Sequence, residues 1–546
     1  MVALLALTAA GKAILYDTLD PDCFWHLRVA EALHRQGIGP LVDDLSFASN
    51  KTPWTPYSWL AELGMKWVWD MGGYRLAVAT QAIMQAGIVI LLAMIGCAAA
   101  IGRPERARYL SIILLTAFGM AMMLPYLSFR PATAAILLLG IIFWLIVRDR
   151  QLNWRSKEGR LAGQTHVNFS GDHFTSGASL FPPPVIRGRV REGVLTRIWR
   201  NEPPPQPSPG IPGEGEKIHA FALVWAAIPL TILLTNIHLY AVFVPVMCGV
   251  VVVGAIWNRQ WHLARRYGLL TAACAIGCLL TPMLKGTIQT AWFYQHTDAM
   301  VAGPIIAEMR PFLDGTGGKI LGVMILLMIA AAVRYRKQLD LSDWLWLGLG
   351  LVLLLRLGRF APLFAILSMP AFARGLQFLS DRVLDRPILR GALAGVFIIG
   401  LVRVGMAFPR TGNGMDQWLN RHGPETPGYP TSAADFVQMN VHPRTGHLIN
   451  EFTWGGYLSW RLGGQYQVLL DGRTQLYSQD FWRSAYLGDE IQRSKWLDQI
   501  EADAAVLPTE RSIFSSILID HGWTIAYRDQ RAQILLPPSA QVADVK

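Results

Sequence analysis

The residues best suited to chemistry lie just past the first apolar stretch. Leu19-Asp20-Pro21-Asp22-Cys23-Phe24-Trp25-His26-Leu27-Arg28 sets two carboxylates beside a proline, two aromatics and an imidazole. Pro21 suits the first position of a helix and Asp20 the cap ahead of it. One reading is a capped helix lying at a membrane surface, where aromatic side chains are at home. The other makes Asp22 a general base, with His26 one helical turn on and Asp20 as the alternative base. Arg130, in Ser128-Phe129-Arg130-Pro131, and Arg356 and Arg359, after a later apolar run, are the residue type that grips phosphate through paired N–H groups. An arginine at the end of a span also simply snorkels to the interface. A second rank comprises Asn236 and His238 of Thr235-Asn236-Ile237-His238, and Glu308 and Arg310 of a segment that also holds His296 and Asp298. Asp471 and Arg473 complete it. They flank Gly472 after a strand end, where open α/β sheets bind ligands and where a tight turn with a local ion pair is equally at home.

What must position these residues is a membrane. Charged residues make up 16% of the 546, against about 25% in soluble proteins. Uncharged apolar runs near the length that crosses a bilayer recur through the first 410 residues, and with a short first span (Met1–Ile14) they predict about eleven transmembrane helices. Lys12 interrupts that first span, which also reads as a signal peptide or as a helix cut short by a late start codon. With the N-terminus placed in the cytoplasm, the inner loops hold Arg103, Arg106 and Arg108; Arg259, Arg265 and Arg266; Arg334, Arg336 and Lys337; and Arg374, Arg382, Arg386 and Arg390. This asymmetry follows the positive-inside rule, so the net charge of +11 is a topology signal and not a nucleic-acid footprint. All the chemically interesting residues then face outward, and the chain after residue 408 lies outside.

The chain divides at this level into a membrane part, 1–408, with an outer loop at 15–74 carrying interfacial helices, and a tail at 409–546. Within the membrane part, 149–217 contains Pro182-Pro183-Pro184 and a second proline cluster at 203–209. It reads as a disordered cytoplasmic insertion, or as a docking segment using extended proline stretches. In the tail, short β-rich runs at 447–450, 467–470, 505–507, 524–527 and 533–536 alternate with helical stretches at 432–439, 482–491 and 513–521. That alternation predicts a soluble α/β domain. Four of the five cysteines fall in apolar spans, and neither a metal set nor a disulfide framework is indicated.

Carboxylates, imidazoles and arginines from five outer loops suit transfer from a phosphate-linked, membrane-bound donor. A transporter predicts ionisable residues and broken helices near the bilayer midplane, and the mid-span positions here are nearly free of charge. A non-catalytic envelope scaffold is the third class.

At the residue level the membrane part resembles the GT-C superfamily of polyprenyl-phosphate-sugar-dependent glycosyltransferases, which includes protein O-mannosyltransferases and RgtA/B/C/D-like bacterial enzymes. The acidic loop after the first span, Asp20 to Leu27, carries that resemblance. A narrower likeness, to a bacterial group of GT-C-like membrane proteins, rests on Asp43-Asp44-Leu45-Ser46-Phe47, Tyr57-Ser58-Trp59-Leu60-Ala61-Glu62, Phe129-Arg130-Pro131, Asn236-Ile237-His238, Ile306-Ala307-Glu308-Met309-Arg310-Pro311 and Arg359-Phe360-Ala361-Pro362-Leu363-Phe364. In the tail it rests on Asn450-Glu451-Phe452-Thr453-Trp454-Gly455-Gly456-Tyr457-Leu458 and Leu470-Asp471-Gly472-Arg473. The resemblance implies inverting sugar transfer, metal-independent or metal-assisted, with an acidic residue of the first loop as base. It implies a polyprenyl-phosphate-linked sugar as donor partner, no further cofactor, and a bacterial inner membrane. Departures are the truncated first span, the insertion, and Cys23-Phe24 where a bulkier or more polar pair is common.

The orientation has a direct test. A reporter fused after Lys546 should be active only outside the cytoplasm, and one inserted near Ser208 only inside. The reverse pattern would overturn the assignment of the site residues to the outer face.

Overall fold

The computed structural model describes residues 1–15, 19–49, 53–100, 106–168, 223–293, 310–376, 387–407 and 428–539. The chain forms two compact units, one of Met1–Arg148 with Trp225–Lys546 and one of Asp149–Val224. In the first unit the helices are α1 (Val2–Leu15), α2 (Asp22–Gln36), α3 (Trp59–Ala99), α4 (Arg106–Met123) and α5 (from Pro131). They continue with α6 (Ala227–Thr235), α7 (Phe243–Trp257), α8 (Trp261–Gly277), α9 (Leu284–Phe293), α10 (Thr316–Arg334), α11 (Leu341–Arg356), α12 (Ala361–Gly375) and α13 (Pro387–Ala407). Among the described residues five helical stretches are long and apolar enough to cross a membrane: Trp59–Ala99, Tyr109–Tyr126, Pro131–Asn153, Leu239–Trp257 and Thr316–Arg334. Two more, Val2–Ile14 and Val224–Thr235, are apolar but shorter. Large apolar side chains such as Ile83, Leu326 and Leu327 stand exposed on them, as lipid-facing residues do.

The structure departs from the sequence expectation in three local places. In the second unit α5 runs on to Asn168, past the residue where a disordered loop was expected, because the chain has no proline between Pro131 and Pro182. Arg374, counted above among loop arginines, is in the last turn of α12 and buried. It pairs there with Asp343 of α11 and donates to the Ala99 carbonyl at 3.1 Å, which satisfies both charges inside the helix bundle. The helix expected at 482–491 is broken at Gly488. Asp489 caps a new helix there by accepting from the Gln492 N–H at 2.8 Å.

α3 is kinked at Gly72 and Gly73, the latter at φ 56°. Its first three turns lie against α2, and the run after the kink is the apolar span.

The tail holds a five-stranded mixed sheet of β1 (His447–Asn450), β2 (Gln467–Val468), β3 (Ala504–Pro508), β4 (Thr524–Arg528) and β5 (Ala532–Leu536). The order is β2-β1-β3-β5-β4, parallel on the first side and antiparallel across β3-β5-β4. Its β2 edge is covered by the first loop. Phe47 donates to the Val468 carbonyl at 3.1 Å, Val468 donates back to the Leu45 carbonyl at 2.9 Å, and the Ser46 hydroxyl donates to the Leu469 carbonyl at 2.7 Å. The loop thus pairs, through an isolated parallel bridge at Ser46, with an edge that would otherwise be open.

One apolar core runs through α2, the start of α3 and the sheet. Phe24 sits at its centre, fully buried, with ring centroids 5.3 Å from Tyr429 and Tyr457, 5.0 Å from Trp460 and 6.0 Å from Trp69. Replacing Phe24 with Ala should cost about 3–5 kcal/mol of stability. The loss should appear as a clear drop in the unfolding midpoint of the purified protein. An unchanged midpoint would mean that α2 is not part of this core.

Candidate functional site

The first turn of α2, the N-terminal ends of α5 and α12, the α6–α7 turn and two loops of the sheet surround one cavity of about 330 Å³. Asp20, Asp22, Trp25 and His26 come from α2 and its lead-in. Arg130 precedes α5, Arg359 precedes α12, and His238 and Tyr240 come from the α6–α7 turn. Tyr57 and Tyr126 add two phenols, and Phe452, Thr453, Gly456, Gly472 and Thr474 form the wall on the sheet side.

Asp20 caps α2: its Oδ1 accepts from the Asp22 N–H at 3.0 Å. Asp22 is held at both oxygens, Oδ1 by the Trp25 indole N–H at 3.0 Å and Oδ2 by Arg130 Nη1 at 3.0 Å. Arg130 also lies 3.4 Å from Asp20 Oδ2 through Nε, which donates to the Ser128 hydroxyl at 2.7 Å. The guanidinium expected to meet a phosphate therefore bridges the two carboxylates here. Arg130 and Arg359 each stand at a helix N-terminus, with Pro131 and Pro362 following in the first turns, so side-chain and helix-dipole charge of one sign converge on the cavity.

Both imidazoles are buried. His238 Nδ1 accepts from the Tyr240 backbone N–H at 3.3 Å, which leaves the proton on Nε2. Burial, and then the charge of Arg359, push its pKa down to about 3. His26 stacks over Trp25 at 3.5 Å between centroids, and its Nδ1 lies 3.2 Å from Glu62 Oε1. Burial, followed by Arg130, holds its pKa well below the ordinary histidine range. Both rings are neutral at physiological pH.

The remaining sequence candidates lie elsewhere. Asn236 is a structural tie, donating to the carbonyls of Ile232 and Leu280 and accepting from the Trp59 indole at 2.9 Å. Arg356 is exposed at the end of α11 and does not line the cavity. Arg310 is exposed too, and its carbonyl accepts from the Gly358 N–H at 2.9 Å. Glu308, His296 and Asp298 fall outside the described residues. Asp471 and Arg473 are buried behind the cavity wall: Arg473 binds Asp471 through Nε at 2.9 Å and Asp43 through Nη1 at 2.7 Å. Only Gly472 between them reaches the site. A methyl group there would run into the Asp22 carboxylate and come within 2.6 Å of Trp25 Nε1. Gly456 packs as closely, with the Pro21 carbonyl 2.6 Å from where its Cβ would stand.

Sequence reasoning passed over Glu62, Trp25 and the glycine wall as functional residues. Glu62 stood in a quoted block, four residues after its partner Ser58, but no local pattern points it at His26. Among the described residues no three His, Cys, Asp or Glu side chains gather as a metal set would.

No protein-family model matches the sequence, and no curated protein matches it. Solved structures do. The oligosaccharyltransferase AglB from Archaeoglobus fulgidus, in complex with an inhibitory peptide and a dolichol-phosphate, superposes at a TM-score of 0.52 with 10% identity, over 93% of this chain and 69% of that chain. The Archaeoglobus fulgidus oligosaccharyltransferase tethered to an acceptor peptide gives 0.51 and 10%, over 93% and 68%. ArnT from Cupriavidus metallidurans bound to undecaprenyl phosphate gives 0.47 and 14%, over 99% and 98%, a score too low to bear on the fold. At such identities the likeness is one of architecture.

The His238 environment has a measurable consequence. A histidine whose folded pKa lies below its unfolded value of about 6.5 leaves the unfolded state binding more protons in between, so stability falls as pH drops from about 6.5 toward 3. His238→Gln should lose that part of the acid sensitivity in pH-dependent unfolding. An identical pH profile in the variant would show that His238 titrates normally.

The chain is thus a membrane protein with the GT-C fold.

Proposed function

We propose that this protein is a membrane glycosyltransferase, moving a sugar from a polyprenyl-phosphate carrier to an acceptor at the outer membrane face. The observation that carries the reading is the cavity in which the carboxylates of Asp20 and Asp22, at the start of α2, face two arginines at helix N-termini. The neighbour solved with a dolichol-phosphate lends support from a protein of the same fold. In this reading the arginine-rich loops face the cytoplasm, about eleven spans cross a bacterial inner membrane, and the sheet domain lies outside.

Asp22 is the proposed general base. Its carboxylate takes the proton of the acceptor nucleophile as that atom attacks the anomeric carbon. The bond from that carbon to the phosphate oxygen breaks, and the polyprenyl phosphate leaves with the electron pair. Arg130 and Arg359 hold the phosphate and stabilise the charge it gains. An incoming phosphate competes for Arg130, which frees the Asp22 oxygen that Arg130 holds. Asp20 keeps the first turn of α2 in place and is the alternative base. Arg356, exposed at the membrane edge, suits head-group contact. Asn236, Asp471 and Arg473 serve as supports.

The test is turnover of a panel of polyprenyl-phosphate-linked sugars by the purified protein in nanodiscs. Asp22→Asn should lower turnover about 100- to 10,000-fold with no loss of folded protein. Arg359→Ala should mainly weaken donor binding. Wild-type turnover in Asp22→Asn would remove the base assignment, and no consumption of any donor by the wild type would remove the proposed reaction.

A further inference from the structure

The Glu62–His26 pair has no role in the reaction as written, although its imidazole lines the same cavity. Glu62 is 1% exposed. Its Oε1 accepts from the Ser58 hydroxyl at 2.8 Å and lies 3.2 Å from His26 Nδ1, while its Oε2 is buried with no hydrogen-bond partner. Among the described residues the one basic group within ion-pair distance of it is His26. An ionised carboxylate in that setting would leave a buried, half-solvated charge, whereas the neutral acid leaves only a carbonyl-like oxygen without a partner. Two neighbours of Oε1 can take the proton of the neutral acid, the Ser58 hydroxyl and the lone pair of His26 Nδ1. The hydroxyl is spent donating to Oε1, which leaves Nδ1. With Nδ1 accepting, the neutral imidazole carries its hydrogen on Nε2, at the edge turned away from Glu62.

The same tautomer is fixed in His238 by different means, since there a backbone N–H occupies Nδ1. The cavity therefore holds two neutral rings, each with its Nδ1 engaged as an acceptor and an N–H left at Nε2. The charges acting on His26 are those of Arg130 and Asp20 in the cavity and of Asp471 with Arg473 behind it, and Asp22 lines the same cavity. A base at His26 would duplicate Asp22. A donor complements it, adding a third kind of group to the two arginines on the side where negative charge develops.

We propose that protonated Glu62 is a positioning residue that fixes the tautomer of His26, and that His26 thereby donates its Nε2–H to the phosphate of a polyprenyl-phosphate ligand. The role at the phosphate rests on the glycosyl-transfer reading. The tautomer does not.

Nitrogen-15 NMR of histidine-labelled full-length protein in nanodiscs separates the two. His26 should show a protonated Nε2 and an unprotonated Nδ1, and titration with undecaprenyl phosphate should shift the Nε2–H signal. Glu62→Gln supplies an amide N–H to Nδ1 in place of the acid O–H. It should therefore keep both the tautomer and wild-type turnover to within about 3-fold, since a neutral donor is replaced by a neutral donor. Glu62→Leu should release the tautomer and lower turnover about 100-fold with little change in KM, as loss of a preorganised donor does. A protonated Nδ1 in the wild type, or Glu62→Gln as impaired as Glu62→Leu, would overturn the tautomer assignment. The expected tautomer with no response to undecaprenyl phosphate would overturn the donor role, whatever the outcome of the transfer assay.

Discussion

The buried cation of Arg473 is the interaction on which the rest of the site depends. It is inaccessible to water, so it persists only with carboxylates on two sides, Asp43 from the first loop and Asp471 from the sheet. Burial alone would raise the Asp43 carboxyl. The Arg473 charge and the hydrogen bonds around it outweigh burial and hold it below its ordinary range. The Trp54 ring lies 5.4 Å from the guanidinium carbon and closes another face. Residues some 430 positions apart are thereby locked together, and Gly472, between the two members of the sheet pair, is pressed against Asp22. The location of the proposed base follows from this clamp.

The cavity is composite. The loop helix brings the carboxylates, the helix ends bring the arginines, and the sheet brings a wall with no room for a Cβ at two points. Each element alone is ordinary: a capped helix, two helices with proline in the first turn, two glycines beside the sheet. Their chemistry arises from close approach, and the apolar core around Phe24 keeps α2 within reach of the sheet.

Much of this was legible beforehand. The strands of the tail are short β-branched and apolar runs between turn residues, and they form where that pattern puts them. Asp20, Asp22, His26, Arg130, His238 and Arg359 were singled out by residue type at span ends, and all six line one cavity. What stayed hidden depends on distance in space. Asp471 and Arg473 read either as ligand-facing groups or as a tight turn with a local ion pair, and the pair is what forms; a sequence does not show Asp43 closing it from behind. Asn236 looked polar and outward, while its amide is spent on the carbonyls of two neighbouring segments. Glu62 carries no signal of its own in the sequence and is buried, with Ser58 one turn before it and His26 from another helix facing it.

The strip of first loop that pairs with β2 has a bearing on how the protein is made. Ser46 and its partner carbonyl at Leu469 are 423 residues apart, so at ribosomal rates of about 5–20 residues per second the first half of this bond waits roughly 20 to 85 seconds for the second. Throughout that interval the intervening helices are made, while the segment that will pair with β2 and the Asp43 that will be buried lack those partners. Contacts this long in sequence are the slowest to form and the last to be rewarded. The cavity is consequently absent from every nascent chain that stops short of the segment 452–474, which supplies its wall on the sheet side.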